Sequence, residues 1–271
     1  MQVIDLTPQH ERTYFLCLED WSDEMKEAGD HKETWYRDMA GKGLRVKLAL
    51  DDRGAVGGMI EYLPIEHAEA EGAGLYFINC IWVHGHKQGV GNLQKRGMGT
   101  ALLAAAEQDA RALGAKGMAA FGLFLPFWIR ASWFKKHGYT KVDSLGGMQL
   151  LFKPFAEDAA PPRWIRAKYA PELIPGKVTV TSLLHGRCPA GNMTHERARR
   201  AAAGFGDRVV FRTVRTDTKD ALRRCGESAG LYVDNDKIRI GPPPSYERIR
   251  SRIAKRVRSL DRKGWLHLPW R

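Results

Sequence analysis

Apolar positions recur along the first 155 residues with two different periods, and their order predicts a mixed α/β domain. Alternating or continuous apolar runs predict strands over 44–50, 56–63, 74–83, 118–125 and 148–152. Apolar spacing of three and four residues predicts helices over about 8–18 and 21–41, a long alanine-rich helix over about 97–113, and a short aromatic helix around 128–137. The predicted order is therefore α-α-β-β-β-α-β-α-β.

A proline-rich stretch separates this region from a second one. Five prolines within 154–176 leave neither helical nor strand periodicity. Beyond them, strands are predicted over 177–184, 209–214, 230–233 and 237–240, and helices over 192–203, 219–225 and 245–260. We expect a domain over 1–155, a linker over 156–176, a smaller α/β domain of order β-α-β-α-β-β-α over 177–262, and an aromatic, basic tail over 263–271.

Composition narrows the class of protein. A chain of 271 residues with 44% hydrophobic and 27% charged residues is typical of two globular domains, and no apolar run approaches the roughly 20 residues that cross a bilayer. The N-terminus lacks a secretory signal, so we expect a cytoplasmic protein with no membrane partner. The four cysteines show no CxxC pair and no metal-ligand spacing, so we expect free thiols and no metal.

Charge is unevenly distributed. The net charge is +12, and residues 245–271 carry nine basic and two acidic side chains, which supply +7 of it. This segment favours a packed amphipathic helix with a solvated basic face over a site for nucleic acid. Nucleic acid binding is supported by charge alone, and the sequence leaves a homodimer open.

The segment Gln94–Thr100 reads Gln-Lys-Arg-Gly-Met-Gly-Thr and lies between a predicted strand and the alanine-rich helix. Its two glycines allow close approach of a ligand to the backbone, and the start of the helix offers unpaired N–H groups to a pyrophosphate. A glycine-rich turn without a ligand is the alternative. The upstream cluster Gly89–Gly91 is a weaker candidate, because no helical pattern follows it.

In its context this loop resembles that of the GNAT acetyltransferase family. The strand ending in Ile81-Trp82-Val83 precedes it, and the segment Trp133–Tyr139 follows. The resemblance implies a mixed, mostly antiparallel sheet with flanking helices, with acetyl-CoA as cofactor and a small amine or amino acid as acceptor. It also implies that Ile81, Trp82 and Val83 contact pantetheine through their backbone. The pyrophosphate is expected at the loop residues Gln94, Lys95, Arg96, Gly97, Met98, Gly99 and Thr100.

Catalytic residues are less defined. The family often carries a tyrosine where this chain has Phe134, so the usual acid is absent from that position. We consider Glu61, Cys80, His84 and His86 for proton transfer, against the alternatives of a solvated strand face, a small core residue and a polar loop. The aromatic residues Phe127, Trp128 and Trp133 are expected either to form an acceptor pocket or, more simply, to belong to the core.

Cys188 is predicted at the start of a helix, immediately after a strand, where the helix N-terminus favours its thiolate. The element order around it resembles the thioredoxin-like fold, and the chain from Val3 to about Leu260 resembles YoaP-type fusions of a GNAT domain with such a module. The second cysteine of CxxC is replaced by Gly191, and the usual proline before the third strand by Ala229-Gly230. Cys225 is considered as a distant resolving thiol. A thiol-redox or sulfur-handling protein is therefore the alternative function.

Overall fold

The computed structural model describes residues 1–124 and 129–265. The chain divides into two compact units, one made of Met1–Ser22 with Tyr36–Arg166 and the other of Asp23–Trp35 with the chain from Ala167 onward. These limits differ from the predicted 155 and 176, since residues 156–166 join the first unit and Asp23–Trp35 joins the second. Phe127, Trp128 and the tail beyond 265 lie outside the described residues.

Seven strands of the first unit form one sheet, and two short strands form a separate pair. The nine strands are β1 (Gln2–Asp5), β2 (Arg45–Leu50), β3 (Val56–Pro64), β4 (Ala70–Glu71), β5 (Leu75–Val83), β6 (Gly117–Leu123), β7 (Thr140–Leu145), β8 (Met148–Pro154) and β9 (Arg163–Trp164). The sheet order is β1-β2-β3-β5-β6-β8-β7, and β4 pairs with β9. Only the β5–β6 contact is parallel among the described strands of this unit. The predicted mixed α/β architecture is confirmed.

Five α-helices are described between Glu11 and Lys136. They are α1 (Glu11–Phe15), α2 (Asp23–Lys26), α3 (His31–Ala40), α4 (Met98–Ala112) and α5 (Ala131–Lys136). The helix predicted over 8–18 is wrong beyond α1, because Cys17 and Leu18 have left-handed φ values of 52° and 65° that a helix does not contain. The helix predicted over 21–41 is split at Gly29, whose φ is 64°.

The long helix α4 packs across one face of the sheet. Its apolar residues recur at helical spacing and are buried: Met98, Leu102, Leu103, Ala106 and Ala110. The helix ends at Gly114, whose φ of 80° suits glycine, and Ala115 N–H donates to the carbonyl of Ala110. The amphipathic pattern therefore fixes which face of α4 meets the sheet, and the glycine fixes its end.

A polar contact fastens the same helix to β2 and β3. Arg45 donates to Asp109 of α4 through Nε and Nη2 at 2.9 and 3.0 Å, and the Tyr62 hydroxyl donates to Asp109 Oδ2 at 2.6 Å. Burial opposes ionisation of Asp109, but the hydrogen bonds from Arg45 and Tyr62 and the charge of Lys47 outweigh it and lower the pKa of this carboxyl. The contact sets the position of α4 on the sheet.

The second unit has its own sheet. Strands β10 (Val178–Leu184), β11 (Val209–Arg215), β12 (Gly230–Val233) and β13 (Asp236–Ile238) lie in the order β11-β10-β12-β13, with β10 and β11 parallel and the other pairs antiparallel. Helices α6 (Pro189–Ala203), α7 (Lys219–Cys225) and α8 (Tyr246–Trp265) complete it. Ile249 and Ile253 of α8 are buried against Val178 and Val180 of the sheet. Across the described residues, no helix has the length and apolar character needed to span a membrane.

We expect Asp109→Asn to lower the free energy of unfolding by about 1–3 kcal/mol, because Arg45 and Tyr62 lose a charged acceptor in a half-buried site. A carboxyl whose pKa is lowered by folding contributes fully above its unfolded value, and this contribution is lost as pH falls through the folded value. The difference between wild type and variant should therefore be constant above the ordinary value of 3.8 and shrink below it. Urea denaturation at a series of pH values measures it.

Asp158→Asn is the matched control. Asp158 is an exposed aspartate with a lowered pKa that pairs with Lys116, and its replacement should leave the unfolding curve unchanged. Equal losses in the two variants, or a difference that persists at low pH, would contradict the assignment.

Candidate functional site

A cleft opens in the first unit where two parallel strands separate. Strand β5 pairs with β6 only from Leu75 to Ile78, although β6 continues in register with β8 as far as Leu123. The register between β5 and β3 shifts by one residue at the same place, since Glu61 faces Cys80 and Tyr62 faces Ile78. Such a bulge bends the strand that carries the extra residue. The edge of β5 beyond Ile78 therefore faces the cleft rather than a neighbouring strand among the described residues.

The N-terminus of α4 forms one end of this cleft. Gly97 caps the helix with a φ of 83°, and Lys95 is also left-handed at 62°. The first backbone hydrogen bond runs from Ala101 N–H to the Gly97 carbonyl, so the amides of Met98, Gly99 and Thr100 have no acceptor within the helix. Three adjacent N–H groups and the positive end of the helix dipole make a site for a phosphate.

Side chains of the loop are tied to the strand. Gln94 donates from Nε2 to the Val83 carbonyl at 3.2 Å, and its backbone N–H donates to Asn92 Oδ1 at 2.9 Å. A Cβ on Gly57 would lie 2.4 Å from Leu93 Cδ1, so this glycine in β3 lets Leu93 pack close to the sheet. The loop therefore has a defined conformation before any ligand enters.

The cleft has a volume of about 710 Å³ and gathers most of the predicted cofactor-binding residues. Its lining residues are Ile81, Trp82, Val83, Gln94, Lys95, Gly97, Met98, Gly99, Thr100, Ile129, Arg130 and Trp133. Arg96 is exposed and is not part of the lining. The sequence analysis did not identify Ile129 and Arg130, because they follow β6 in a segment without a recognisable motif. Arg130 adds a positive charge to the cleft.

Glu61 and Cys80 face each other across β3 and β5. Glu61 is 2% exposed and accepts a hydrogen bond of 2.8 Å from the Tyr14 hydroxyl. Burial, together with the charge of Glu61 and this hydrogen bond, raises the pKa of Tyr14 well above its ordinary value, so Tyr14 stays a donor. Cys80 is partly exposed. The structure brings two catalytic candidates together and adds Tyr14, which no sequence motif identifies.

His84 is buried, and both of its ring nitrogens have partners. Trp21 Nε1–H donates to His84 Nε2 at 3.2 Å, and His84 Nδ1 lies 2.8 Å from the Gly91 carbonyl, which only accepts. This pattern defines a neutral imidazole with its proton on Nδ1. His86, in contrast, is exposed and lies 3.3 Å from Glu19. These contacts hold the loop after β5 in place, and a role of His84 in proton transfer stays a prediction.

Phe134 is a core residue. It is 1% exposed and packs against Tyr139 at 5.3 Å and Trp133 at 5.1 Å between ring centroids. Trp133 reaches the cleft, because a Cβ on Gly99 would lie 3.4 Å from its Cζ2 atom. The helix α5 therefore contributes an aromatic wall next to the phosphate end and no acid at the position of Phe134.

Cys188 lies in the second unit as the N-cap of α6, with a proline at the first helical position. Its carbonyl accepts from Asn192 N–H at 3.0 Å, and its side chain is partly exposed. Cys225 is 1% exposed among Leu183 and Tyr232, and burial raises the pKa of its thiol. A buried, protonated thiol does not suit the role of a resolving cysteine.

No family model and no curated protein matches this chain. Among solved structures it is similar to a GNAT family N-acetyltransferase from Escherichia coli in complex with CoA, at 13% identity and a TM-score of 0.43 over 60% of this chain and 88% of that one. A GNAT family acetyltransferase from Brucella melitensis in complex with acetyl-CoA has 18% identity and a TM-score of 0.37, over 59% and 91%. The PaiA N-acetyltransferase from Thermoplasma acidophilum with coenzyme A has 16% identity and a TM-score of 0.40, over 57% and 100%. At these values the likeness carries no conclusion about chemistry, which depends on the residues of the cleft.

Proposed function

We propose that the first unit is an acetyl-CoA-dependent N-acetyltransferase of the GNAT type that acts on a small amine or amino-acid-like acceptor. The observation that carries the proposal is the cleft between β5 and β6, which joins the edge of β5 that β6 does not pair with to the open N-terminus of α4. A thioester cofactor with an amide-bearing arm and a pyrophosphate needs both features. The cytoplasmic location expected from the sequence belongs to this proposal, since free cysteines persist there.

The two parts of the cleft fit the two parts of such a cofactor. Backbone groups of Ile81 and Val83, on the unpaired edge, can hydrogen-bond the amides of a pantetheine arm as a neighbouring strand would. The amides of Met98 to Thr100 can bind a pyrophosphate, and the charges of Lys95 and Arg130 favour an anion there. A volume of about 710 Å³ suits an extended ligand of this size.

Bound acetyl-CoA would supply an acetyl carbon that the neutral amine attacks, so that a C–N bond forms, the C–S bond breaks and the CoA thiolate leaves. The protein has to accept the proton that the amine loses. We assign this task to Glu61, which faces Cys80 on β5, with Tyr14 holding the carboxylate in place through its hydroxyl. Cys80 is the partly exposed neighbour and is assigned contact with the acceptor rather than proton transfer.

Gly97→Ala tests the phosphate end of the cleft. An alanine at a φ of 83° is strained although nothing lies within 4 Å of its Cβ, so the change acts on the backbone that presents the amides. We expect acetyl-CoA to bind at least about tenfold more weakly, which is a loss of about 1.4 kcal/mol. Isothermal titration calorimetry of the full chain measures the affinity.

Gly54→Ala is the matched control, because Gly54 has a φ of 80°, equally open surroundings, and a place in the turn between β2 and β3. It should bind acetyl-CoA as the wild type does. Absence of acetyl-CoA binding by the wild-type protein, or equal weakening in both variants, would overturn the cofactor assignment.

Glu61→Gln tests the proton acceptor. The amide keeps the size of the side chain and an acceptor for Tyr14 but no longer takes a proton, so we expect kcat to fall by about 10²–10³. Affinity for acetyl-CoA should change little. Release of free CoA with a panel of polyamines, aminoglycosides and amino acids measures turnover, with the exposed Glu157→Gln as control. A kcat equal to that of the wild type would leave Glu61 with a structural role.

The second unit supports a second candidate, a thiol-dependent activity at Cys188 in a thioredoxin-like fold. Two observations favour it. The element order from β10 to α8 is β-α-β-α-β-β-α, and Cys188 caps the helix after the first strand. In addition, a Cβ on Gly191 would lie 3.5 Å from Ala229 Cβ, so the loop before β12 packs beside the turn that carries Cys188. Without a second cysteine in that turn, binding of a thiol ligand fits better than disulfide exchange.

Alkylation tests this candidate. We expect Cys188 to react with iodoacetamide at neutral pH faster than free glutathione, because it is partly exposed at a helix N-terminus. Mass spectrometry of tryptic peptides follows each cysteine, with buried Cys225 as the internal control for slow reaction. The rapid alkylation by iodoacetamide should be absent from the Cys188→Ser variant. A rate at Cys188 equal to that of Cys225 would remove the thiol function.

A further inference from the structure

We propose that His31, His195 and Glu196 of the second unit form a binding site for a divalent transition metal, with Zn²⁺ as the expected ion. One ligand atom from each of the three side chains lies within 4.8 Å of the others. In the part of the chain that the structure describes, no other group of three or more His, Cys, Asp or Glu side chains meets this condition. Two imidazoles and one carboxylate are a ligand set that zinc commonly takes in proteins.

Of the two distances from Glu196 Oε1 to the histidine nitrogens, one is shorter and one is longer than the distance between neighbouring ligand atoms in a zinc site. His31 Nε2 lies 2.9 Å from Glu196 Oε1, and His195 Nε2 lies 4.0 Å from the same oxygen. Zinc bonds of about 2.0–2.2 Å in a tetrahedral arrangement place neighbouring ligand atoms about 3.4 Å apart. The two histidine nitrogens lie within 4.8 Å of each other, so side-chain movements on the order of 1 Å bring all three ligand atoms to one ion. The two rings meet edge to face, with centroids 5.2 Å apart, which leaves the nitrogens free to converge.

The surrounding groups orient the ligand atoms. His195 Nδ1 lies 3.0 Å from Ser182 Oγ, so that nitrogen can carry the proton and leave Nε2 with a lone pair for the metal. Arg199 donates twice to Glu196 Oε2, at 3.0 and 2.8 Å, which turns Oε1 towards the two histidines. Supporting hydrogen bonds of this kind are typical of metal ligands.

The site is reachable and leaves a coordination position open. The His195 side chain is 5% exposed, whereas those of His31 and Glu196 are 20% and 19% exposed. A metal held by three protein ligands at the edge of solvent takes water or a small ligand in the fourth position. The site thus has the form of a reactive centre rather than of a closed structural one.

A metal here would also join two parts of the second unit. His31 begins α3 in the segment Asp23–Trp35, and the other two ligands lie on α6. Arg197 of α6 already binds this segment through Glu24 at 2.8 Å and Glu27 at 3.1 Å. The sequence predicted no metal because its cysteines lack metal-ligand spacing. His31 and His195 lie far apart in the sequence, so local spacing does not connect them.

Zinc titration of the full chain tests the proposal. After dialysis against chelator, we expect one equivalent of Zn²⁺ to bind in competition with a chromophoric indicator, and binding to weaken at least about 100-fold in His31→Asn. Ser182→Ala should weaken it by about 10–100-fold, since this hydroxyl only supports a ligand. His10→Asn, which changes a histidine of the first unit, should bind zinc as the wild type does.

X-ray absorption of the zinc-loaded protein supplies the independent readout, with two imidazoles and one carboxylate expected around the ion. Circular dichroism confirms that His31→Asn is folded. If the wild-type protein binds no zinc, or if His31→Asn and Ser182→Ala both bind as tightly as the wild type, the three side chains are a hydrogen-bonded group and the proposal is wrong.

Discussion

The separation of β5 from β6 is the constraint on which the first unit depends. A strand that carries an extra residue opposite Glu61 and Tyr62 bends, and after Ile78 it no longer reaches its parallel neighbour. The sheet accepts this loss of pairing because α4 covers the same region with Leu102 and neighbouring apolar residues. The result is a strand edge whose backbone groups have no hydrogen bonds to β6 and can be reached by a ligand. The cleft and the chemistry proposed for it both depend on this local loss of pairing between β5 and β6.

Much of this frame could be predicted from the sequence. The apolar spacing of α4 and the glycines before it specify a helix and its beginning, and both are confirmed. The edge strands β1 and β7 were missed, because edge strands bury few side chains and have little apolar signal. The break after α1 was missed for another reason. Cys17 and Leu18 adopt left-handed backbone conformations, which neither residue type favours, so the sequence does not predict them.

The candidate site was harder to predict, since its contacts join distant parts of the chain. Glu61 and Cys80 were named separately, and only the register of β3 and β5 makes them neighbours. The sequence does not identify Trp21 and Gly91 as partners of the His84 ring, because these contacts depend on the folded loop. The segment Asp23–Trp35 belongs to the second unit, where its Glu27 pairs with Arg197. The spacing of apolar and polar residues along the sequence does not indicate which distant charged side chains will pair.

Contacts within the chain define the conformation of the loop between β5 and α4. Lys95 and Gly97 are left-handed, and Gln94 is bonded to Val83. A ligand that binds there has little backbone left to order, so the loop contributes little to the entropic cost of association. The strain of the left-handed Lys95 is carried by the fold itself, so binding of a ligand at this loop does not have to create it.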